Sequence, residues 1–246
     1  MSELIKLNRE NGILSISLNR LDKKNALTAA MYSELAEIFS QQVTDASDIN
    51  AVIITGGTDF TAGNDLADFL DNPPTASNAP VYEFMRALSN CPVPVIAAVN
   101  GVAVGIGTTL LLHCDFVYAT ANSMFMMPFI NLAVVPEFAS SLLLPMRTGY
   151  LKAAEMLLLG EKFDAATALQ YGIINQICEA ENLHATATAT AEKLVSKPRL
   201  ALIQSKALMR RDPEPLAQRI EIESELFSKM VAAPEAQAAI NKILKR

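Results

Sequence analysis

Apolar and polar residues alternate along the opening stretch, Leu4 to Asn8 and again Ile13 to Leu18, which is the period of a half-buried strand. Asn11-Gly12 lies between the two runs, and this pair accepts the positive φ values of a tight hairpin turn. The period then changes. Met31, Leu35, Ile38 and Phe39 fall on one face of a helix, with Thr28 as its N-cap. Ala51 to Thr55 (A-V-I-I-T) is a continuous apolar run of strand length closed by Gly56-Gly57, and Pro94 to Val99 predicts a second buried strand. Between them, Asp71 to Pro80 is rich in turn residues and predicts a mobile surface loop, followed by a helix ending near Cys91-Pro92. Gly105 or Ile106 should open a helix through Leu112, and Asp115 to Ala119 returns as a strand.

Strands alternating with helices define an α/β core. From about Ser140 the pattern turns helical. Asp164 caps a helix that Gly172 ends, and Ile173 to Cys178 predicts a late short strand. The tail from Pro198 is all-helical, with Ile220, Glu223, Leu226, Phe227 and Met230 along one stripe. It is too thin to bury that face alone, so it should pack on the core, on a partner subunit, or on both. The expected organisation is a core over 1–197 and a helical region over 198–246, without a repeat of solenoid period.

Composition narrows the function classes. The 246 residues are 51% hydrophobic and 19% charged, which suits one sizeable buried core. A net charge of -6 and a pI near 5.0 argue against a nucleic-acid surface. Cys91, Cys114 and Cys178 are widely spaced in apolar surroundings, so neither a disulfide framework nor a metal site is expected. No signal-peptide pattern or apolar run of membrane-spanning length is present, which points to the cytoplasm and to no membrane partner.

Three segments could carry chemistry. Phe60 to Leu66 (F-T-A-G-N-D-L) follows a strand, and Gly63 lets the backbone approach a ligand closely; equally, Asn64 or Asp65 could cap a helix. Asn100 to Thr108 (N-G-V-A-V-G-I-G-T) follows a buried strand and opens a helix, placing free N–H groups where an oxyanion could develop. It lacks the spacing of a dinucleotide fingerprint and the Lys of a P-loop. In Met127 to Ser141, Glu137 stands alone among apolar residues. Burial there would raise its pKa and make it a base near neutrality, while a helix N-terminal Glu after Pro136 fits the spacing as well. His113 reads as structural and His184 as solvated; with no metal-ligand spacing and no G-x-S-x-G, a zinc hydrolase and a serine triad are both disfavoured.

Taken in order, L-N-R-L-D-K-K-N-A-L at Leu18 to Leu27, F-T-A-G-N-D-L and A-A-V-N-G-V-A-V-G-I-G at Ala97 to Gly107 resemble the crotonase superfamily, the enoyl-CoA hydratases and isomerases. The resemblance covers essentially the whole chain. It implies a spiral core of ββα units with a helical C-terminal trimerisation region, assembled as a homotrimer or a dimer of trimers. It also implies an acyl-CoA substrate, so coenzyme A arrives with the substrate and no separate cofactor is needed. An oxyanion hole would map to the N–H groups of Asn64 and Gly105. Coenzyme A would pass Lys23, Lys24 and the loop of Ala62, Gly63, Asp65 and Leu66. The two acids of the family's hydratases map to Thr108 and Phe129, which cannot activate water, and Leu21 replaces the family's usual Pro. Glu137 falls where the peroxisomal type of Δ3,Δ2-enoyl-CoA isomerase carries its catalytic Glu, beside an apolar pocket lined by Phe129 and Leu132. The expectation is therefore such an isomerase. A hydratase, a thioester hydrolase and a non-catalytic acyl-CoA-binding protein are the alternatives.

Overall fold

Asn11 (φ 51°) and Gly12 (φ 78°) are both left-handed, the mirror-image turn that matches strand twist. They join β1 (Ile5–Glu10) to β2 (Ile13–Leu18) as an antiparallel hairpin with Ile5 opposite Leu18. The other strands are β3 (Ala51–Thr55), β4 (Val95–Val99), β5 (Val102–Val104), β6 (Phe116–Thr120), β7 (Met124–Met126), β8 (Lys162–Asp164) and β9 (Gln176–Cys178). Six of them form one sheet in the order β1-β2-β3-β4-β6-β9, parallel everywhere beyond the hairpin. The other three form a small sheet, β5-β7-β8. This computed structural model describes residues 3–43, 48–211, 215–231 and 236.

The chain divides into two units, Met1–Val195 and Ser196–Arg246. In the first, β4 is buried at every position, as a strand covered on both faces must be. The helices there are α1 (Ala29–Glu37), α2 (Leu66–Asp71), α3 (Pro80–Ser89), α4 (Ile106–Thr109), α5 (Ser140–Thr148), α6 (Tyr150–Ala154), α7 (Ala165–Gln170) and α8 (Leu183–Val195). On one face of the sheet, Leu183, Ala187 and Ala191 of α8 pack with Ile53, Ile96 and Tyr118. The two alanines, one turn apart, let the helix axis come close to the strands. Elsewhere, Phe39 and Phe84 bury completely with ring centroids 6.2 Å apart, and each such side chain contributes about 1.5–3 kcal/mol of burial.

Caps follow the sequence. Thr28 Oγ1 accepts the Met31 N–H at the start of α1, and Asp164 accepts that of Thr167 at the start of α7. Two boundaries differ from expectation. The helix opened at Ile106 is α-helical only to Thr109 and tightens into a 3-10 turn over Leu110–His113. The late strand shrinks to β9 because the N–H groups of Ile173 and Ile174 both bond back to the Ala168 carbonyl, closing α7 instead. His113 is buried, His184 is exposed on α8, and all three cysteines are buried free thiols.

The second unit holds α9 (Arg199–Met209) and α10 (Leu216–Val231). Of the expected stripe, Ile220, Glu223 and Phe227 are exposed and Leu226 is half-buried; the Met230 side chain lies outside the described residues. Among the described residues no helix is long and apolar enough to cross a membrane.

Candidate active site

The first wall of the site is the turn after β3. Asn25, left-handed at φ 55°, is its buried anchor. Its amide donates to the carbonyls of Gly56 and Asp59, both at 2.7 Å, and accepts the Arg20 N–H. Residues 61–64 then run as a short extended segment between two neighbours. On one side the Leu27 N–H donates to Gly63 (2.7 Å) and the Asp65 N–H to Leu27 (2.9 Å); on the other, Thr61 and β5 exchange bonds at 3.0 Å. Gly63 (φ 87°) is required twice over, since a Cβ there would sit 2.6 Å from the Val104 carbonyl oxygen. The Gly63 carbonyl points to Leu27, so the Asn64 N–H of the same trans peptide points the opposite way, where it meets no acceptor among the described residues.

The second wall is the turn from β5 into α4. The N–H of Gly105, expected as the second oxyanion donor, is donated to the Met126 carbonyl at 2.8 Å. The reason is simple: the β5–β7 ladder continues one residue past Val104, so Gly105 closes its last rung. The N–H of Ile106, next along and at the first position of α4, meets no acceptor among the described residues. It is the free donor at this helix start.

Glu137 faces both walls. Its Oε1 accepts a hydrogen bond from Thr109 Oγ1 at 3.0 Å, one helical turn beyond Ile106. Burial pushes its pKa from 4.5 up to about 7, and the Thr109 bond holds it back from rising further. The residue as a whole is half-buried. Across from it, the hydroxyl of buried Tyr32 donates to Asn64 Oδ1. The Tyr32 pKa is raised well above its ordinary value by burial, then by the charges of Glu137 and Asp68. The carboxylate is thus joined to the Ile106 wall through Thr109, while Tyr32, bonded to Asn64, is near enough to feel its charge.

The segment that delivers Glu137 is unusual in its backbone. Phe138 (φ 55°) and Ala139 (φ 53°) are left-handed without being glycine. Ser140 ties them down: its N–H and hydroxyl donate to the Glu137 carbonyl at 3.0 and 2.6 Å. His113 completes the clamp. Its ring stacks on Phe138 at 3.8 Å, and its Nε2 donates to the Phe138 carbonyl at 2.8 Å, which makes Nε2 the protonated nitrogen.

The other expected residues fall out as follows. Lys23 and Lys24 are exposed near the first wall, with Lys24 3.9 Å from Asp59 and its carbonyl accepting the Ala62 N–H. Asp65 is committed elsewhere: it caps α2 through Ala67 and Asp68 and pairs with Arg20 at 2.6 Å, which holds its carboxyl below the usual range. Leu66 is exposed. Phe129 is buried, while Leu132 is 50% exposed, on the surface rather than in a closed wall. Thr108 turns its hydroxyl to the Ala103 carbonyl at 2.5 Å, away from Glu137. Sequence reading missed Tyr32, Ile106 and Thr109. Beside Asn64 a pocket opens between α1, α2 and α3, lined by Leu27, Tyr32, Phe69 and Val81. Among the described residues no group of His, Cys, Asp or Glu could hold a metal ion.

A parallel sheet with a small second sheet, and a glycine-bearing extended segment beside a helix start, define a crotonase fold. The chain belongs to the enoyl-CoA hydratase/isomerase family, whose model matches residues 8–245. It is 36% identical over 212 residues to the 1,2-epoxyphenylacetyl-CoA isomerase of Escherichia coli K12, covering 82% of this chain and 80% of that one. It is 35% identical over 217 residues to human enoyl-CoA delta isomerase 2, covering 85% of this chain but spanning only 55% of that longer protein. A solved structure from Magnetospirillum magneticum AMB-1, described as an enoyl-CoA hydratase/carnithine racemase, superposes with a TM-score of 0.96 at 44% identity, covering 100% of this chain and 97% of that one.

Proposed function

We propose that this protein is a Δ3,Δ2-enoyl-CoA isomerase with Glu137 as its single acid–base group. The observation that carries the reading is the carboxylate itself: raised by burial to a pKa of about 7 and hydrogen-bonded through Thr109 to the helix whose first N–H, that of Ile106, is free. The thioester oxygen sits against the N–H groups of Asn64 and Ile106. Glu137 removes a proton from C2 of a 3-enoyl thioester, and the C–H electron pair moves into a dienolate whose charge the two amides hold. The same proton returns to C4, and the double bond is left between C2 and C3. Each amide contributes roughly 3–4 kcal/mol of transition-state stabilisation. A base with a pKa near the working pH is well matched to giving back what it takes.

Hydration asks for more, namely a carboxylate acting as base to activate water and a second carboxyl group to deliver a proton. Thr108 and Phe129 stand where the resemblance maps those acids, and Thr109, which does face the carboxylate, is a hydroxyl. Human enoyl-CoA delta isomerase 2 carries this class of reaction in its name, which supports the choice, while other relatives are named as a hydratase and dehydratases. Exposed Lys23 and Lys24 supply positive charge for the coenzyme A phosphates. Replacing Glu137 by Gln should reduce conversion of 3-enoyl-CoA to 2-enoyl-CoA at least about a thousandfold, with KM little changed. Full activity in that variant, or release of 3-hydroxyacyl-CoA or free coenzyme A as the main product of the unaltered protein, overturns the reading.

A further inference from the structure

The carboxylate of Glu137 receives one hydrogen bond among the described residues, and only at Oε1. A group that collects a proton at one carbon and releases it two carbons away can do so with one oxygen fixed and the other free. We propose that Thr109 is a positioning residue: its hydroxyl pins Oε1, so that Oε2 alone shuttles the proton. The inference rests on the isomerase reading and deepens it.

The geometry around Thr109 leaves its hydroxyl little else to do. The residue is fully buried, and its N–H is bonded to the Gly105 carbonyl at 3.0 Å, which fixes the backbone. Its single hydroxyl proton has two acceptors in reach, Glu137 Oε1 at 3.0 Å and the Ile106 carbonyl at 3.5 Å. The nearer, charged acceptor wins. Other polar groups nearby are engaged elsewhere. The Tyr32 hydroxyl of α1 is given to Asn64, Asp68 of α2 accepts the Ala29 N–H, and His113 Nε2 is given to the Phe138 carbonyl. Because Thr109 lies three residues after Ile106, the pin also fixes the distance between base and amide through one helical turn.

The test uses the full-length protein and its Thr109→Val, Thr109→Ser and Glu137→Gln variants. Valine keeps the volume and removes the donor; serine keeps the donor. Turnover of 3-enoyl-CoA is measured against pH, and the carboxyl of Glu137 is titrated by infrared difference spectroscopy, its band identified by its loss in Glu137→Gln. Expected is a kcat loss of about tenfold or more in Thr109→Val with KM within about twofold, an acid limb and an infrared titration both moved to higher pH, and recovery of most of this in Thr109→Ser. The proposal is overturned if Thr109→Val titrates and turns over as the unaltered protein does, or if Thr109→Ser is as impaired as Thr109→Val. Should the unaltered protein fail to turn over 3-enoyl-CoA, the isomerase reading falls, and the infrared titration alone then decides whether Thr109 governs Glu137.

Discussion

Residues 61–64 and 103–106 present the amides, and residues 133–139 present the carboxylate; the two are held in place by opposite means. The amide wall is fastened through its main chain, with Leu27, β5 and Met126 each taking a rung, and Gly63 lets its two strands touch. The carboxylate wall has almost no ladder. Ala133, Phe138 and Ala139 are left-handed without being glycine, and Val135 is 80% exposed. Amides need only to be aimed, and a hydrogen-bonded ladder aims them at little energetic cost. A buried base must also be kept uncomfortable, short of water and of partners, so its support comes from side chains such as His113, Ser140 and Thr109.

Three substitutions break or sharpen this contrast. Gly63→Ala should do the most damage, because the new Cβ meets backbone 2.6 Å away in a left-handed residue. About 2–4 kcal/mol of stability should be lost, with turnover falling alongside, as read by denaturant unfolding and assay. Smaller stability loss than that of an exposed control would show the ladder to be softer than it looks. Glu137→Gln should act in the opposite direction on stability. Between pH 4.5 and about 7 the folded protein keeps a proton that the unfolded chain has released, so stability falls as pH rises through this window. Above pH 7 the Gln variant should be more stable by up to about 3 kcal/mol, and the gap should close below pH 4.5. Equal stability at pH 8 would mean that the carboxylate is well solvated. Ala139→Gly should have the least effect, a gain below about 1 kcal/mol from relief of the left-handed strain, seen as a slightly raised Tm. A loss would mean that Ala139 packs usefully where it stands.

Much of the scaffold was legible along the chain. Alternation located β1 and β2, Asn11-Gly12 located the turn, and apolar runs located β3 and β4, because these features are set by near neighbours and by burial. Thr28 and Asp164 were readable as caps for the same reason. At the site, the motif around Gly63 and the isolated Glu137 were visible, while the choice between Gly105 and Ile106 was not.

That choice turns on whether β5 ends at Val104 or runs one peptide further against Met126, and a ladder's last rung depends on a strand some twenty residues away. The same holds for Thr108 and Thr109, identical in kind and adjacent in sequence, which a helical turn points in different directions. Residue types and local periods therefore determined an α/β core, two glycine-bearing turns and an isolated acid, and the spiral followed only from the family resemblance. Only the tertiary packing decided which amide stays free and which hydroxyl meets the acid, since a hydrogen bond is a fact about distance and direction, not about order along the chain.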